Sequence, residues 1–568
     1  MTTPSPTTND SAAQRIALGY DSTGATVLLG SVVIDGVVDP AALVRIPLAM
    51  FNRHGLVAGA TGTGKTVTLQ VIAEQLSAAG VPVLMPDVKG DLTGLLVPGK
   101  PSDKVGARAA ETGDSWAPEA FPVEFLSLAG QGAAVPIRAS IDSFGPILLS
   151  KVLDLNDTQE STLGLIFHWA DARTLPLLDL KDLRAVIMYL TSAEGKQDLR
   201  ELGGVSTATA GVILRAVTNL DAQGGDQFFG EPELDVADLL RVTADGRGII
   251  NLFAASGLQT NPVLFSTFLM WLLAELFEQL PEVGDIDKPK LVFFFDEAHL
   301  LFADASKAFL QAVQQTVKLI RSKGVGVFFC TQLPTDVPSP VLSQLGARIQ
   351  HALRAFTPDD QKALSSTVKT YPMTDDYQLA SALTSLGTGE AIVTVLSEKG
   401  APTPVAWTRI RPPHSQMAPA PTADIAASID SSPLLAKYGA AVDRNSAYEM
   451  LTARVAPSVP AGTAPVTLPT VPAGPGAPPR TTQPQAAPTT PTLGPDGWPT
   501  LVPEPYNPYL DTPVAPAPRP APQASGGGSG GIGDLLNNPV VTSFMKSLGT
   551  SLGGALGRSV SGTRKRRR

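Results

Sequence analysis

Short apolar runs recur through the first four hundred positions, each closing on Gly, Asp or Thr and most followed by a longer stretch with helical spacing. Residues 54–58, 81–85, 121–128, 248–253, 291–295, 325–330 and 349–353 read as buried strands. Residues 66–79, 261–280 and 306–322 read as helices, the first through Val67, Leu69, Val71, Ile72 and Leu76. This alternation predicts an α/β fold with a wound, mostly parallel sheet. Two stretches break the rhythm. Residues 147–220 carry Leu, Ala, Lys and Asp at helical spacing, with helix starts at Thr158 and Asp179, and predict an inserted all-α subdomain. Residues 25–29 and 31–34, punctuated by Gly24, Gly30 and Gly36, predict a small β-rich leader, with a reduced barrel as one form open to it. Residues 391–396 and 405–410 are expected to close the core as a hairpin.

Periodicity stops near residue 457. Nearly every third residue from there to 522 is proline, in a chain of 568 residues with 51 Pro and 52 Gly, and such a composition cannot bury enough surface to order itself. Beyond a glycine run, Val541, Phe544, Met545, Leu548, Leu552 and Leu556 share one helical face. That face is either a docking helix for a protein partner or a marginal surface helix. The terminal Arg564-Lys565-Arg566-Arg567-Arg568 is either a nucleic-acid handle or a solvated end. The resulting division is 1–13 disordered, 14–50 leader, 51–140 first core part, 141–235 helical insert and 236–415 second core part. A helical extension (416–456), a Pro/Gly-rich disordered linker (457–533) and a C-terminal helix with basic tail (534–568) complete it.

Composition narrows the function classes. One cysteine, Cys330, excludes a disulfide framework and a thiolate metal cage, and five scattered histidines lack zinc-ligand spacing. Residues 1–13 lack the basic-then-apolar order of an export signal, and 263–280 is interrupted by Ser266, Thr267, Glu275, Glu278 and Gln279, so no membrane span is expected. These features predict a cytoplasmic protein. A net charge of −9, from 43 basic and 52 acidic residues, excludes a wholly basic nucleic-acid coat and confines any DNA contact to a local surface such as a pore.

The candidate chemistry begins at Gly59-Ala60-Thr61-Gly62-Thr63-Gly64-Lys65-Thr66, a complete G-x-x-x-x-G-K-[ST] phosphate-binding loop between a strand and a helix. Its glycines let backbone N–H groups face one anion-sized hollow, Lys65 reaches the β/γ-phosphates and the Thr66 hydroxyl ligates Mg²⁺. Leu291-Val292-Phe293-Phe294-Phe295-Asp296-Glu297 is an apolar strand ending in two carboxylates. In that Walker-B arrangement Asp296 holds the metal and Glu297 orients and deprotonates the attacking water. ATP and Mg²⁺ are the expected cofactors. Thr331-Gln332 puts an amide at a strand tip, either as a γ-phosphate sensor or as an ordinary strand-end pair. Arg321, before the strand 325–330, is favoured as an arginine finger acting on a neighbouring subunit, with Arg348 and Arg354 as competitors. Asp87-Val88-Lys89-Gly90-Asp91 either lines the site or touches DNA, or is a plain Asx-type turn. Asp296-Glu297-Ala298-His299 spells the DEAH-box letters, but the Ser-Ala-Thr element and a convincing Q-x-x-G-R-x-G-R element are absent, and His299 is expected to be structural.

Together these motifs, with Arg321-Ser-Lys-Gly-Val-Gly326 and the segment Gln344-Leu-Gly-Ala-Arg-Ile-Gln-His-Ala-Leu-Arg354, resemble the HerA-like branch of the HerA/FtsK ATPases, above all the bacterial YjgR-type family. The resemblance covers about residues 16–411, with a weaker match at the C-terminal helix. It implies a RecA-like P-loop core, a homo-hexameric ring and ATP-driven movement of double-stranded DNA through a central pore. By the same resemblance Lys65, Thr66, Asp296, Glu297, Gln332 and Arg321 take phosphate, magnesium, base, sensor and finger roles. The leader is shorter than the barrel of archaeal HerA proteins, the α-insert is larger and the proline linker is extra. The competing expectation is a nucleotide-gated assembly or adaptor ATPase that does not translocate DNA.

Overall fold

Among the described residues the chain forms twelve strands: β1 Thr26–Ile34, β2 Val37–Pro47, β3 Gly55–Ala58, β4 Val83–Asp87, β5 Val123–Leu128, β6 Val135–Ile137, β7 Ile250–Ala254, β8 Leu291–Phe295, β9 Val325–Thr331, β10 Ala347–Gln350, β11 Glu390–Thr394 and β12 Ala406–Ile410. The computed structural model describes residues 11–455 apart from 88–89, 129–133, 199–203, 255–261 and 303–306. The proline-rich linker, the C-terminal helix and the basic tail lie outside the described residues.

One sheet holds all twelve strands in the order β2-β1-β12-β11-β10-β3-β9-β8-β4-β7-β5-β6. From β10 to β6 every pairing is parallel, and from β2 to β10 every pairing is antiparallel. The predicted α/β class with a mostly parallel sheet is therefore the observed one. Parallel strands here are covered on both faces, which is why β3, β4, β8 and β9 are continuous apolar runs rather than alternating ones. Their side chains still alternate between two cores. Leu56, Leu84, Phe293, Phe295, Val327 and Phe329 join one, and Val57, Met85, Val292, Phe294, Phe328 and Cys330 join the other. Each fully buried phenylalanine contributes roughly 1.5–3 kcal/mol of transfer free energy.

The first core continues into the helices Asp157–Ala172, Leu180–Thr191, Thr207–Leu220, Pro262–Gln279 and Lys307–Ile320, through Trp169, Val186, Ile213, Trp271 and Val317 among others. The segment between β6 and β7 therefore shares its core with the sheet. The second core takes the helix Lys65–Ala78 through Leu69, Val71, Ile72 and Leu76, together with Val27, Leu29, Val44 and Ile46 of β1 and β2.

Those last four residues correct the reduced-barrel expectation. The runs on either side of Gly30 are one strand, β1, with register shifts in its pairing to β2. β1 pairs with β12 through Gly30↔Ile410, Ser31↔Arg409 and Val32↔Thr408, so both leader strands extend the central sheet. An otherwise open edge at β12 offers hydrogen bonds that a two-stranded leader cannot supply to itself.

Glu275, on the helix Pro262–Gln279, carries a pH-dependent cost. Burial pushes its carboxyl from the ordinary 4.5 up to about 7; the Gln279 amide opposes this and the Glu233 and Glu278 charges add to it. A raised carboxyl pKa means a contribution fully present below pH 4.5 and lost as pH rises through about 7. Glu275→Gln is expected to raise stability by about 1–2 kcal/mol at pH 8 and to change it little at pH 4.5. Urea unfolding at the two pH values checks this; an equal gain at both would remove the charge as the cause.

Candidate active site

Because β3, β9 and β8 are adjacent and parallel, their carboxyl ends share one edge of the sheet. Strand spacing of about 4.8 Å puts β8 within roughly 10 Å of β3. From that edge emerge the loop Gly59–Thr66 after β3, Thr331-Gln332 at the end of β9 and Asp296-Glu297 after β8.

The loop is fastened at both ends. Gly59 N–H donates to Thr331 O (3.2 Å), Ala60 N–H to Ala352 O (2.9 Å) and Gly389 N–H to Thr63 O (2.9 Å). Two glycines are required sterically. Gly59 has φ +151°, and a Cβ there would lie 2.5 Å from His351 Cβ; Gly64 has φ +115°, and a Cβ would meet Gly389 N at 3.0 Å. Lys65 Nζ donates to Gly59 O (2.6 Å) and Ala60 O (3.3 Å), which keeps the ammonium folded over the loop. Thr61, Gly62 and Thr66 are exposed. The following helix is clamped by buried Glu74, whose carboxylate accepts the His414 (2.9 Å) and Ser415 (2.8 Å) N–H groups.

Asp296 and Glu297 sit in a tight turn. Glu297 N–H donates to Asp296 Oδ1 (2.9 Å) and Ala298 N–H to Cys330 O (2.9 Å), tying the turn to β9. Glu297 has φ +48°, a left-handed conformation that costs a β-carbon-bearing residue energy and that clusters at functional sites. His299 Nδ1 lies 3.4 Å from Glu297 Oε2, so the histidine touches the candidate base. Burial pushes the Cys330 thiol well up, with the Asp296 and Glu297 charges adding and Lys65 opposing. Gln332 is exposed at the tip of β9, and the turn behind it is braced by Asp336, which accepts from Thr331 Oγ1 (2.5 Å) and Leu333 N–H (3.0 Å).

The three candidate arginines separate. Arg354 is exposed on the loop's own edge, two residues past Ala352. Arg348, on β10, donates to Thr370 O (3.1 Å). Arg321 precedes β9, at the opposite edge, where Asp285 Oδ1 pairs with it at 3.3 Å and with Arg53 at 3.5 Å. Seven residues of β9 separate Arg321 from the loop's edge by roughly 20 Å, so it cannot serve the loop of its own chain. Asp87 closes β4 with both carboxylate oxygens on turn backbone, accepting from Gly90 N–H (2.7 Å) and Leu92 N–H (3.0 Å), the Asx-type geometry; Val88 and Lys89 lie outside the described residues. Among the described residues no cluster of three His, Cys, Asp or Glu could hold a metal, and no helix is long and apolar enough to cross a membrane.

Sequence reasoning missed His351. It follows β10, is fully buried and lies beneath Gly59. Its only signal was its place in the segment 344–354, since a lone histidine after an apolar strand has no characteristic spacing.

The model of the family described as "Helicase HerA-like C-terminal" matches residues 35–483, well over half of the chain. No curated protein sequence matches. Among solved structures, the unbound bacterial conjugative coupling protein TrwBdeltaN70 is similar at 14% identity over 72% of this chain and 95% of that chain, with a TM-score of 0.46. The plasmid coupling protein TrwB with a non-hydrolysable ATP analogue matches at 16% identity over 71% and 98%, TM-score 0.45. VirB4 of Thermoanaerobacter pseudethanolicus matches at 14% identity over 72% and 100%, TM-score 0.44.

Proposed function

From the premise that this chain belongs to the HerA-like helicase C-terminal family, we propose that it is an ATP-hydrolysing ring motor that moves double-stranded DNA. The observation that carries the reading is the convergence of Gly59–Thr66, Gln332 and Asp296-Glu297 on one edge through adjacent parallel strands. Core parts at 51–140 and 236–415 would then build one nucleotide site, with the segment 141–235 inserted between them.

In this reading the backbone N–H groups of the loop hold the phosphates, and Lys65 leaves the Gly59 and Ala60 carbonyls for the β/γ-phosphates. Thr66 and Asp296 offer the hard oxygen donors that suit Mg²⁺, an ion that neutralises charge during phosphoryl transfer. Glu297 takes the proton of the attacking water, giving ADP and phosphate, and Gln332 orients the γ-phosphate. Arg321 reaches a neighbouring subunit's site, which calls for a ring, a homo-hexamer by family resemblance.

Purified protein is expected to hydrolyse ATP, with turnover rising severalfold on duplex DNA and the stimulation fading as salt rises. Robust turnover indifferent to nucleic acid at every salt concentration would sink the DNA half of the proposal. The net charge of −9 favours a second reading, a nucleotide-gated assembly or adaptor ATPase recruiting a partner through its C-terminal region. Deleting 457–568 separates the two: a motor keeps DNA-stimulated hydrolysis, an adaptor loses its partner.

A further inference from the structure

We propose that His351 is a positioning residue for the phosphate loop, joining the first turn of the loop's helix to the start of β11 through both ring nitrogens. The inference rests on the reading of Gly59–Thr66 as a nucleotide site.

His351 continues the β10–β3 pairing, its N–H donating to Ala58 O at 2.7 Å. Its ring is buried, with Nδ1 2.8 Å from Glu390 O and Nε2 3.0 Å from Thr68 Oγ1. A carbonyl oxygen only accepts, so Nδ1 carries the hydrogen. Burial holds the imidazole down to about 4, the Glu390 carbonyl opposing and the Lys65 charge adding, so the ring is neutral at physiological pH. Bare Nε2 must then accept from the Thr68 hydroxyl. Thr68 lies in the first turn of the helix, where its N–H donates to Gly64 O at 3.0 Å. The residue also underlies both ends of the loop: a Cβ at Gly59 would strike His351 Cβ, and one at Gly64 would sit 3.6 Å from the ring's Cε1.

A second tie runs beside the first. Gly389, the residue before Glu390, donates its N–H to Thr63 O, while its own carbonyl accepts from Arg108 at 3.2 Å. Loop and β11 are thus held in register by one imidazole and one peptide group. Loss of the imidazole link frees the helix's first turn from the strand, displacing the N–H groups that face the phosphates. A misplacement of that kind weakens ligand binding without unfolding a core that Leu69, Val71 and Ile72 hold elsewhere.

The test uses the full chain, a fluorescent ATP analogue and thermal melting. Thr68→Val keeps the side-chain shape but removes the donor; His351→Asn keeps a donor toward Glu390 O but cannot reach Thr68. Each is expected to weaken nucleotide binding about tenfold, the scale of leaving one buried acceptor unpaired. The double variant should lose no more than either single one, because both break the same bond. Thr68→Ser should restore binding relative to Thr68→Val. Binding by Thr68→Val within twofold of the parent, while Lys65→Ala loses binding, overturns the role of His351 alone. Lys65→Ala binding as tightly as the parent overturns the nucleotide-loop reading, and the role of His351 with it.

Discussion

Glu297→Gln should bind ATP as the parent does and turn it over 10²–10⁴-fold more slowly, the usual contribution of a positioned general base. Glutamine copies the shape of the carboxylate and keeps two polar atoms, but it has no basic oxygen to take the water's proton. The backbone should tolerate the change: φ is +48° at this position, and a glutamine bears that conformation at the same cost as a glutamate. The Asp296 carboxylate also keeps its contact, because it accepts from the backbone N–H of residue 297 and not from the side chain. Single-turnover hydrolysis beside equilibrium binding of a fluorescent nucleotide checks both halves. Turnover within a few-fold of the parent would dismiss Glu297 as the base, whatever happens to binding.

The second large effect is expected at Arg321. An arginine finger stabilises charge spread over the transferring phosphoryl group and is worth on the order of 10³–10⁵ in rate. Arg321→Ala should therefore nearly abolish turnover with nucleotide affinity retained. Arg321 sits at the amino end of β9, beside Arg53 and Asp285, on the edge opposite the loop, so the proposed finger would act in trans. A mixing experiment tests this directly. Arg321→Ala and Glu297→Gln subunits, each inactive alone, should regain measurable turnover when mixed, since some sites will combine an intact Glu297 with a neighbour's intact Arg321. No recovery, or a chain that stays monomeric with ATP and DNA present, would defeat the trans assignment. Arg354 is the control: it is exposed on the loop's own edge, and its alanine variant should not complement through a neighbour.

How much of this was legible in the sequence varies by element. The α/β class was readable because strands buried on both faces are continuous apolar runs, and β8 with its three phenylalanines is the plainest of them. The loop could be named because its glycine spacing is local. Strand boundaries were softer: the run expected at 349–353 is β10 at Ala347–Gln350, starting two residues and ending three residues earlier, since His351 to Leu353 leave the sheet after one more pairing bond to Ala58. The membership of β1 and β2 in the central sheet was not readable at all. β1 pairs with β12, more than 370 residues away, and β2 joins the sheet only through β1; no local pattern encodes so distant a register.

By itself, then, the sequence determined the residue types and short spacings: a G-x-x-x-x-G-K-[ST] loop, an acidic pair after an apolar strand, a strand-tip amide and a proline-rich stretch. These are properties of neighbours in the chain, set by backbone sterics and side-chain chemistry. Only the tertiary structure decided which strands are neighbours, and with that which edge each polar residue occupies. The order β10-β3-β9-β8-β4 puts the loop, Gln332 and Glu297 on one edge and Arg321 on the other. It also turned Asp87 onto its own turn and slid a buried histidine beneath the loop. Hydrogen bonding between strands and burial of both sheet faces act over any sequence separation, so these outcomes had no local signature to read.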